Sequence, residues 1–384
     1  MTSVYLDYQS SKPVDPQVVQ AMEPYFQKIY GNPSSLHSIG DKATDALEQS
    51  RSSIADFIQA EPDEIIFASG ATEANNLALI GYAERNKSKG KHIIISEIEH
   101  ISIHNTAKFL MKSGFSVSKV PVNHYGQVSV HKVNERITDD TILISIGYAN
   151  NEVGTIQPIE EIGRLCRDKE IAFHTDAVAA EGLLPLNVQN DSIDLMSVSS
   201  NDIYGPKGLG ILYKRKGIKI SPQIIGGGQE NGLRSGTEDL ASIAGMARAA
   251  KIVMEERENE VKRLQSYRDQ LIKEVLEKIP RSYLNGHPEK RLPNNAHFRF
   301  DGIEGESLLL SLNDKGIAVS TGSACSSKTL EPSHTLISMG LLHEEAHGSL
   351  ELTVGRFTKQ SDIDALIKAL PEVVERLRKL SPLY

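Results

Sequence analysis

Cys325 lies in Ser-Thr-Gly-Ser-Ala-Cys-Ser-Ser, followed shortly by Leu-Glu-Pro-Ser-His. A thiolate is a strong nucleophile and a soft metal ligand, so this position could attack sulfur or bind iron. Buried cysteines rarely sit among so many small polar residues, and the composition suits an exposed, function-carrying loop. The alternative is an inert small residue. Cys166 falls inside the helical stretch 160–169 and reads as core.

A second feature is Ser-Gly-Ala-Thr-Glu-Ala-Asn-Asn at 69–76, which follows a strand pattern and opens a helix pattern. Glycine permits the tight turn, and the helix start offers unpaired N–H groups to an anion. Thr72 could instead simply cap its own helix. His100 closes a strand in Ser-Glu-Ile-Glu-His, where a lone histidine is ordinarily structural. Asn151, in Ala-Asn-Asn-Glu-Val-Gly-Thr, reads as a turn residue. Asp176, in His-Thr-Asp-Ala at a strand end, reads as a helix cap.

The elements that must position these residues follow from periodicity. Short β-rich runs at 65–69, 92–97, 115–120, 141–148, 171–177, 195–200 and 209–215 alternate with helical patterns at 72–87, 102–113, 127–137 and 157–169. Near-continuous apolar strands between helices indicate a buried, mostly parallel α/β sheet. A long helical region, 238–279, follows, and beyond Pro280 the alternation stops. The expected division is a large domain, 15–260, and a small α+β domain of 1–14 with 261–384 that carries the Cys325 loop.

The 384 residues suit one large domain plus a smaller one. With 39% hydrophobic and 24% charged residues the chain reads as soluble and globular. A net charge of −8 argues against nucleic acid as a general partner. The first residues lack a signal-peptide pattern, and no apolar run nears the roughly 18–20 residues that span a bilayer. Two cysteines give no disulfide framework and fit a reducing cytoplasm.

The stretch Ser-Ser-Asn-Asp-Ile-Tyr-Gly-Pro-Lys-Gly at 199–208 resembles the cofactor-lysine segment of the cysteine desulfurases. These are class V aminotransferase-like enzymes of the NifS/IscS type that use pyridoxal phosphate (PLP). The resemblance runs from about residue 4 to the end. It implies a fold-type I PLP-dependent transferase architecture with a mainly parallel seven-stranded sheet, built as a homodimer. It implies that Ala71, Thr72 and Ser199 hold the cofactor phosphate, with Thr237, in Leu-Arg-Ser-Gly-Thr-Glu, reaching it across the dimer interface. His100 would stack on the cofactor ring, Asn151 would bond its hydroxyl, and Asp176 would pair with the pyridine nitrogen. Cys325 would form a persulfide on a mobile loop.

The departures from the family pattern sit at its chemical centre. Where the family reads His-Lys, this chain has Asn201-Asp202, and a carboxylate cannot form the Schiff base. Ala179 stands for a glutamine that bonds the ring oxygen, and Glu351 for the arginine that holds the substrate carboxylate. Gln-Ser-Ser-Lys-Pro at 9–13 replaces a Ser-Ala-Thr-Thr-Pro type segment. Two cations have thus become anions. Such paired reversals point to a site converted to another ligand, such as a cation or metal; the alternative is structural neutralisation by Lys12, Lys207 or Arg356. Lys207 has its own counterpart in the family and is not by default a relocated base.

The chain therefore reads as an archaeal-type member without the Schiff-base lysine, acting in iron–sulfur cluster assembly. Covalent PLP is not expected. Cys325 would supply sulfur, or ligate a [2Fe-2S] cluster, for a docked U-type scaffold protein in a heterotetramer, with Asp202 as a further possible ligand. Two alternatives stand beside it: a desulfurase that holds PLP non-covalently at much reduced rate, and a non-catalytic platform for a partner.

Overall fold

The computed structural model describes residues 4–322 and 332–381. The strands are β1 (Val4–Tyr5), β2 (Ile65–Ala68), β3 (His92–Ser96), β4 (Ser116–Val120), β5 (Thr141–Ser145), β6 (Ala172–Asp176), β7 (Leu195–Ser199), β8 (Gly210–Lys214), β9 (Ser282–Asn285), β10 (Asn295–Phe300), β11 (Ile317–Ala318) and β12 (Ser349–Thr353). The helices are α1 (Pro16–Met22), α2 (Pro24–Gln27), α3 (Ser38–Ile58), α4 (Ala71–Asn86), α5 (Ile101–Lys112), α6 (Val130–Arg136), α7 (Ile159–Asp168), α8 (Leu240–Lys278), α9 (Gly305–Asp314), α10 (His334–Ser338), α11 (His343–His347) and α12 (Gln360–Leu380).

Seven strands form one sheet in the order β2-β8-β7-β6-β5-β3-β4. β8 pairs antiparallel with β2 and β7, and the other adjacent pairs are parallel. Helices cover both faces, which is why these strands read as unbroken apolar runs rather than alternating ones. In β3, Ile94 faces one core while Ile93 and Ile95 face the other, and all three are fully buried. The expected strands of this sheet are all present, within a few residues of their expected ends.

A three-stranded antiparallel sheet, β12-β10-β9, forms a second centre, and β1 pairs in parallel with β11. Helix α8 joins the two regions. Ile243, Met246 and Ala250 from its first part enter the large-sheet core, whereas Leu264, Leu271 and Val275 enter the core around the small sheet.

Helix α3 is an addition to the sequence expectation. Its buried face is built from Ala43, Leu47, Ser50, Ile54 and Ile58, which recur at helical spacing. The small and polar members mute the apolar signal. Its start is fixed by His37 Nδ1, which accepts from Gly40 N, and its end by Gln59 in a left-handed conformation.

Candidate functional site

A cavity of about 250 Å³ opens where the parallel strands end. Ser96 terminates β3, Gly147 follows β5, Asp176 terminates β6, and Asn201 and Asp202 follow β7; all line it. Ligands in open α/β sheets bind at these carboxyl ends, where strand peptides leave N–H and C=O groups without ladder partners. Of the residues expected in the site, Ala71, Thr72, His100, Asn151, Asp176, Ala179, Asp202 and Glu351 border this cavity. Ser199 and Thr237 are not among its lining residues. Cys325 lies outside the described residues.

Ala71 and Thr72 are the first two residues of the 16-residue helix α4, whose cap is Gly70 at φ +146°. Thr72 therefore does not cap its own helix. Their N–H groups come at the point where the chain turns from β2 into the helix, the arrangement that favours an anion. The turn is closely backed: a Cβ on Gly210 would lie 2.8 Å from Gly70 Cα.

His100 does not close a strand, because β3 ends at Ser96; it is the cap of α5. Its Nδ1 accepts from Ser102 N at 3.2 Å, which leaves Nε2 to carry the proton when the ring is neutral. Asn151 lies in a turn, 151–153, and the side chain that ties it is its neighbour's: Asn150 Oδ1 accepts from the N–H groups of Glu152 and Val153. Asp176 Oδ1 accepts from Val178 N at 3.1 Å and Oδ2 from Asn75 Nδ2 at 2.7 Å. Burial raises the Asp176 pKa, and the nearby His100 works against that rise. Behind it Glu99 is buried, accepts from Ser96 Oγ and Gly147 N, and is pushed up to about 7 by desolvation.

Asp202 sits in a short 3-10 turn, Asn201–Ile203. Lys12 Nζ donates to its Oδ1 at 3.0 Å and to its backbone carbonyl at 2.8 Å, with both side chains under a tenth exposed. Of the three cations considered, Lys12 is thus the one that neutralises Asp202. Lys207 is exposed, and Arg356 is engaged with Asp15, Glu256 and Glu260. Glu181, which sequence reasoning did not single out, completes the buried group. Its carboxyl accepts from Ser199 N, and burial followed by the Asp202 charge raises its pKa well above the ordinary value. The available clue was a charged residue that follows the apolar run Ala-Val-Ala-Ala at 177–180.

Glu351, on β12, faces the cavity opposite His297 of β10. It is 3% exposed and, among the described residues, accepts one hydrogen bond, a 3.4 Å contact from Asn295 Nδ2. Burial, then Glu152 and Asp7, raise its pKa well above the usual carboxyl range. Glu152 is itself buried and pushed up to about 7; it accepts from Ser333 Oγ at 2.6 Å. No group of three or more His, Cys, Asp or Glu residues that could hold a metal occurs among the described residues.

Thr237 is exposed, in a loop anchored by two ion pairs. Arg51 forms a bidentate pair with the buried Glu230, which also accepts from Phe67 N, and Arg234 pairs with Glu73 of α4.

A mainly parallel seven-stranded sheet with this cavity at its carboxyl edge defines a fold-type I PLP-dependent transferase. The Aminotransferase class-V family model matches residues 4–366. The chain belongs to that family and is a homologue of its IscS/NifS cysteine desulfurases. It is 54% identical over 380 residues to cysteine desulfurase IscS 1 of Archaeoglobus fulgidus, covering 99% of each chain. It is 49% identical over 381 residues to cysteine desulfurase IscS of Methanosarcina thermophila, covering 99% of this chain and 94% of that one. A solved NifS-like protein superposes with a TM-score of 0.92 at 35% identity, over 98% of this chain and 100% of that one.

The family is PLP-dependent, and the residues here fit that cofactor in part. The helix start at Ala71 and Thr72 suits a phosphate, and Asp176 suits a protonated ring nitrogen. At the aldehyde end the fit is incomplete: among the described residues that line the cavity none is a lysine.

Proposed function

We propose that the chain serves iron–sulfur cluster assembly, supplying sulfur or a cluster ligand through Cys325 to a U-type scaffold protein. Asp202 takes the place of the Schiff-base lysine, so ordinary PLP-dependent desulfuration is impaired. The observation that carries this reading is the buried Lys12–Asp202 pair. At the point where the chemistry needs a free amine, the chain has a carboxylate already engaged by the nearest ammonium. A cluster held by thiolates commonly takes four ligands, and a scaffold that offers three leaves a position for Cys325. Asp202, being engaged, is then a supporting group rather than a first choice of ligand.

The working unit in this reading is a homodimer in the cytoplasm, joined by scaffold proteins into a heterotetramer with [2Fe-2S] clusters. Exposed apolar side chains support self-association: Phe26 is 64% exposed, Tyr30 65%, Leu36 101% and Ile225 87%. Thr237 is exposed and not among the residues that line its own chain's cavity, which is compatible with a role in the site of a second copy. The division into 15–260 and 1–14 with 261–384 is supported by the separate cores around the two sheets. Retention of Ala71, Thr72, His100 and Asp176 around the cavity favours a second reading, PLP held non-covalently.

The test is Cys325→Ser, reconstituted anaerobically with iron, sulfide and the scaffold. The expected outcome is loss of cluster from the complex, by visible absorbance and iron analysis, with dimer and melting temperature unchanged. Undiminished cluster content would reject the iron–sulfur role of Cys325 and leave the platform reading.

A further inference from the structure

The cavity has an unusual balance of charge and hydrogen-bonding capacity. Among the described residues that line it, four are acidic, Glu99, Asp176, Asp202 and Glu351, and none is lysine or arginine. Three of these carboxyl groups are provided for. Asp202 has Lys12; Asp176 has Asn75, Val178 N and the nearby His100; Glu99 has Ser96 and Gly147 N. Glu351 is different. Although nine-tenths or more buried, it has a single long contact from Asn295 among the described residues. Its neighbours worsen its position, since Glu152 and Asp7 are acidic, and Glu152 keeps one oxygen, Oε1, without a partner. The cross-strand His297 turns Nε2 towards Glu152 at 3.7 Å.

Two further acceptors at this cavity lack donors. Asn75, wholly buried, spends both N–H groups on Ser102 and Asp176 and leaves Oδ1 unpartnered, and Asn201 Oδ1 is likewise unpartnered. Both oxygens are closed to solvent, so they add to the acceptor-rich character of the wall without themselves being contact points for a ligand. Beside Glu351 a ligand carboxylate would find no Arg or Lys among the described lining residues to clamp it; the anion-favouring turn at Ala71 and Thr72 is a separate part of the cavity wall.

We propose that this cavity takes a small primary amine that carries no carboxylate, its ammonium seated on Glu351. The –NH₃⁺ group brings three donors and one positive charge to a carboxyl that, among the described residues, has one long hydrogen bond and no cation. Specificity comes equally from rejection, because the α-carboxylate of an amino acid would face Glu351 with Asp7 and Glu152 behind it. The inference rests on the reading of this cavity as the ligand site, but not on Cys325.

The experiment is isothermal titration of the full chain, under a phosphine reductant, with cysteamine, L-cysteine and 3-mercaptopropionate. These share a thiol and differ in terminal charge. Cysteamine should bind at least about tenfold more tightly than L-cysteine, the effect of one charged hydrogen bond, and 3-mercaptopropionate should not bind. Glu351→Gln, folded by thermal melt, should lose about tenfold in cysteamine affinity, and Glu351→Asp should keep the order of preference. Equal or tighter binding of L-cysteine or 3-mercaptopropionate to the unaltered chain would overturn the proposal, as would unchanged cysteamine affinity in Glu351→Gln. Repeating the titration with Cys325→Ser separates the two readings. Amine binding should persist there while cluster assembly is lost, and either result can fail alone.

Discussion

At the scale of single residues, the centre of this site depends on one long-range ion pair. Lys12 and Asp202 are 190 positions apart and buried together. Breaking such a pair from one side is more damaging than replacing both partners, because the remaining charge is stranded without water. Lys12→Met should therefore cost about 3–5 kcal/mol in urea unfolding. The double variant Lys12→Met with Asp202→Leu should recover most of that loss. A single variant as stable as the parent chain would mean that Asp202 finds another partner. The sequence offered Lys12, Lys207 and Arg356 as partners but could not rank them, since ranking requires knowing which chain segments meet. It likewise could not show that Glu351 has no cation partner among the described residues, because Arg356, five positions along, is drawn away by Asp15, Glu256 and Glu260.

At the scale of elements, the strand-to-helix turns set the site. Periodicity disclosed the central strands and most of the helices between them, because strands covered on both faces cannot hide their apolar runs. It did not disclose α3, whose inward face is partly alanine and serine. It placed His100 on a strand when the residue caps a helix, since a three-residue connection after Ser96 leaves no composition signal. The turn that opens α4 is the element best placed to hold an anion, and its position relies on β8. A Cβ at Gly210 would fall 2.6 Å from Val198 O and 2.8 Å from Gly70 Cα. Gly210→Ala should thus push the turn outward, lowering stability by about 1–3 kcal/mol. It should also weaken binding of inorganic phosphate measured by titration. Stability lost without any change in phosphate binding would place the anion elsewhere.

At the scale of the whole molecule, α8 has a thermodynamic consequence. Thirty-nine residues of continuous helix extend about 58 Å, with one end fixed in the large-sheet core and the other in the small-sheet core. Two cores joined by a loop can melt separately. Two cores that share one helix cannot do so without fraying it between them, where each further hydrogen bond is favourable once the helix exists. Calorimetry should record a single heat-absorption peak, with the van't Hoff and calorimetric enthalpies in agreement when referred to the cooperative unit. Glu258→Pro, placed in the exposed charged stretch between the two buried faces, removes a helical hydrogen bond and locally breaks the rod. It should split the peak into two, the cores becoming separate cooperative units on either side of the interruption. A single sharp peak in that variant would show that contacts between the sheets, rather than the helix, make the molecule melt as one.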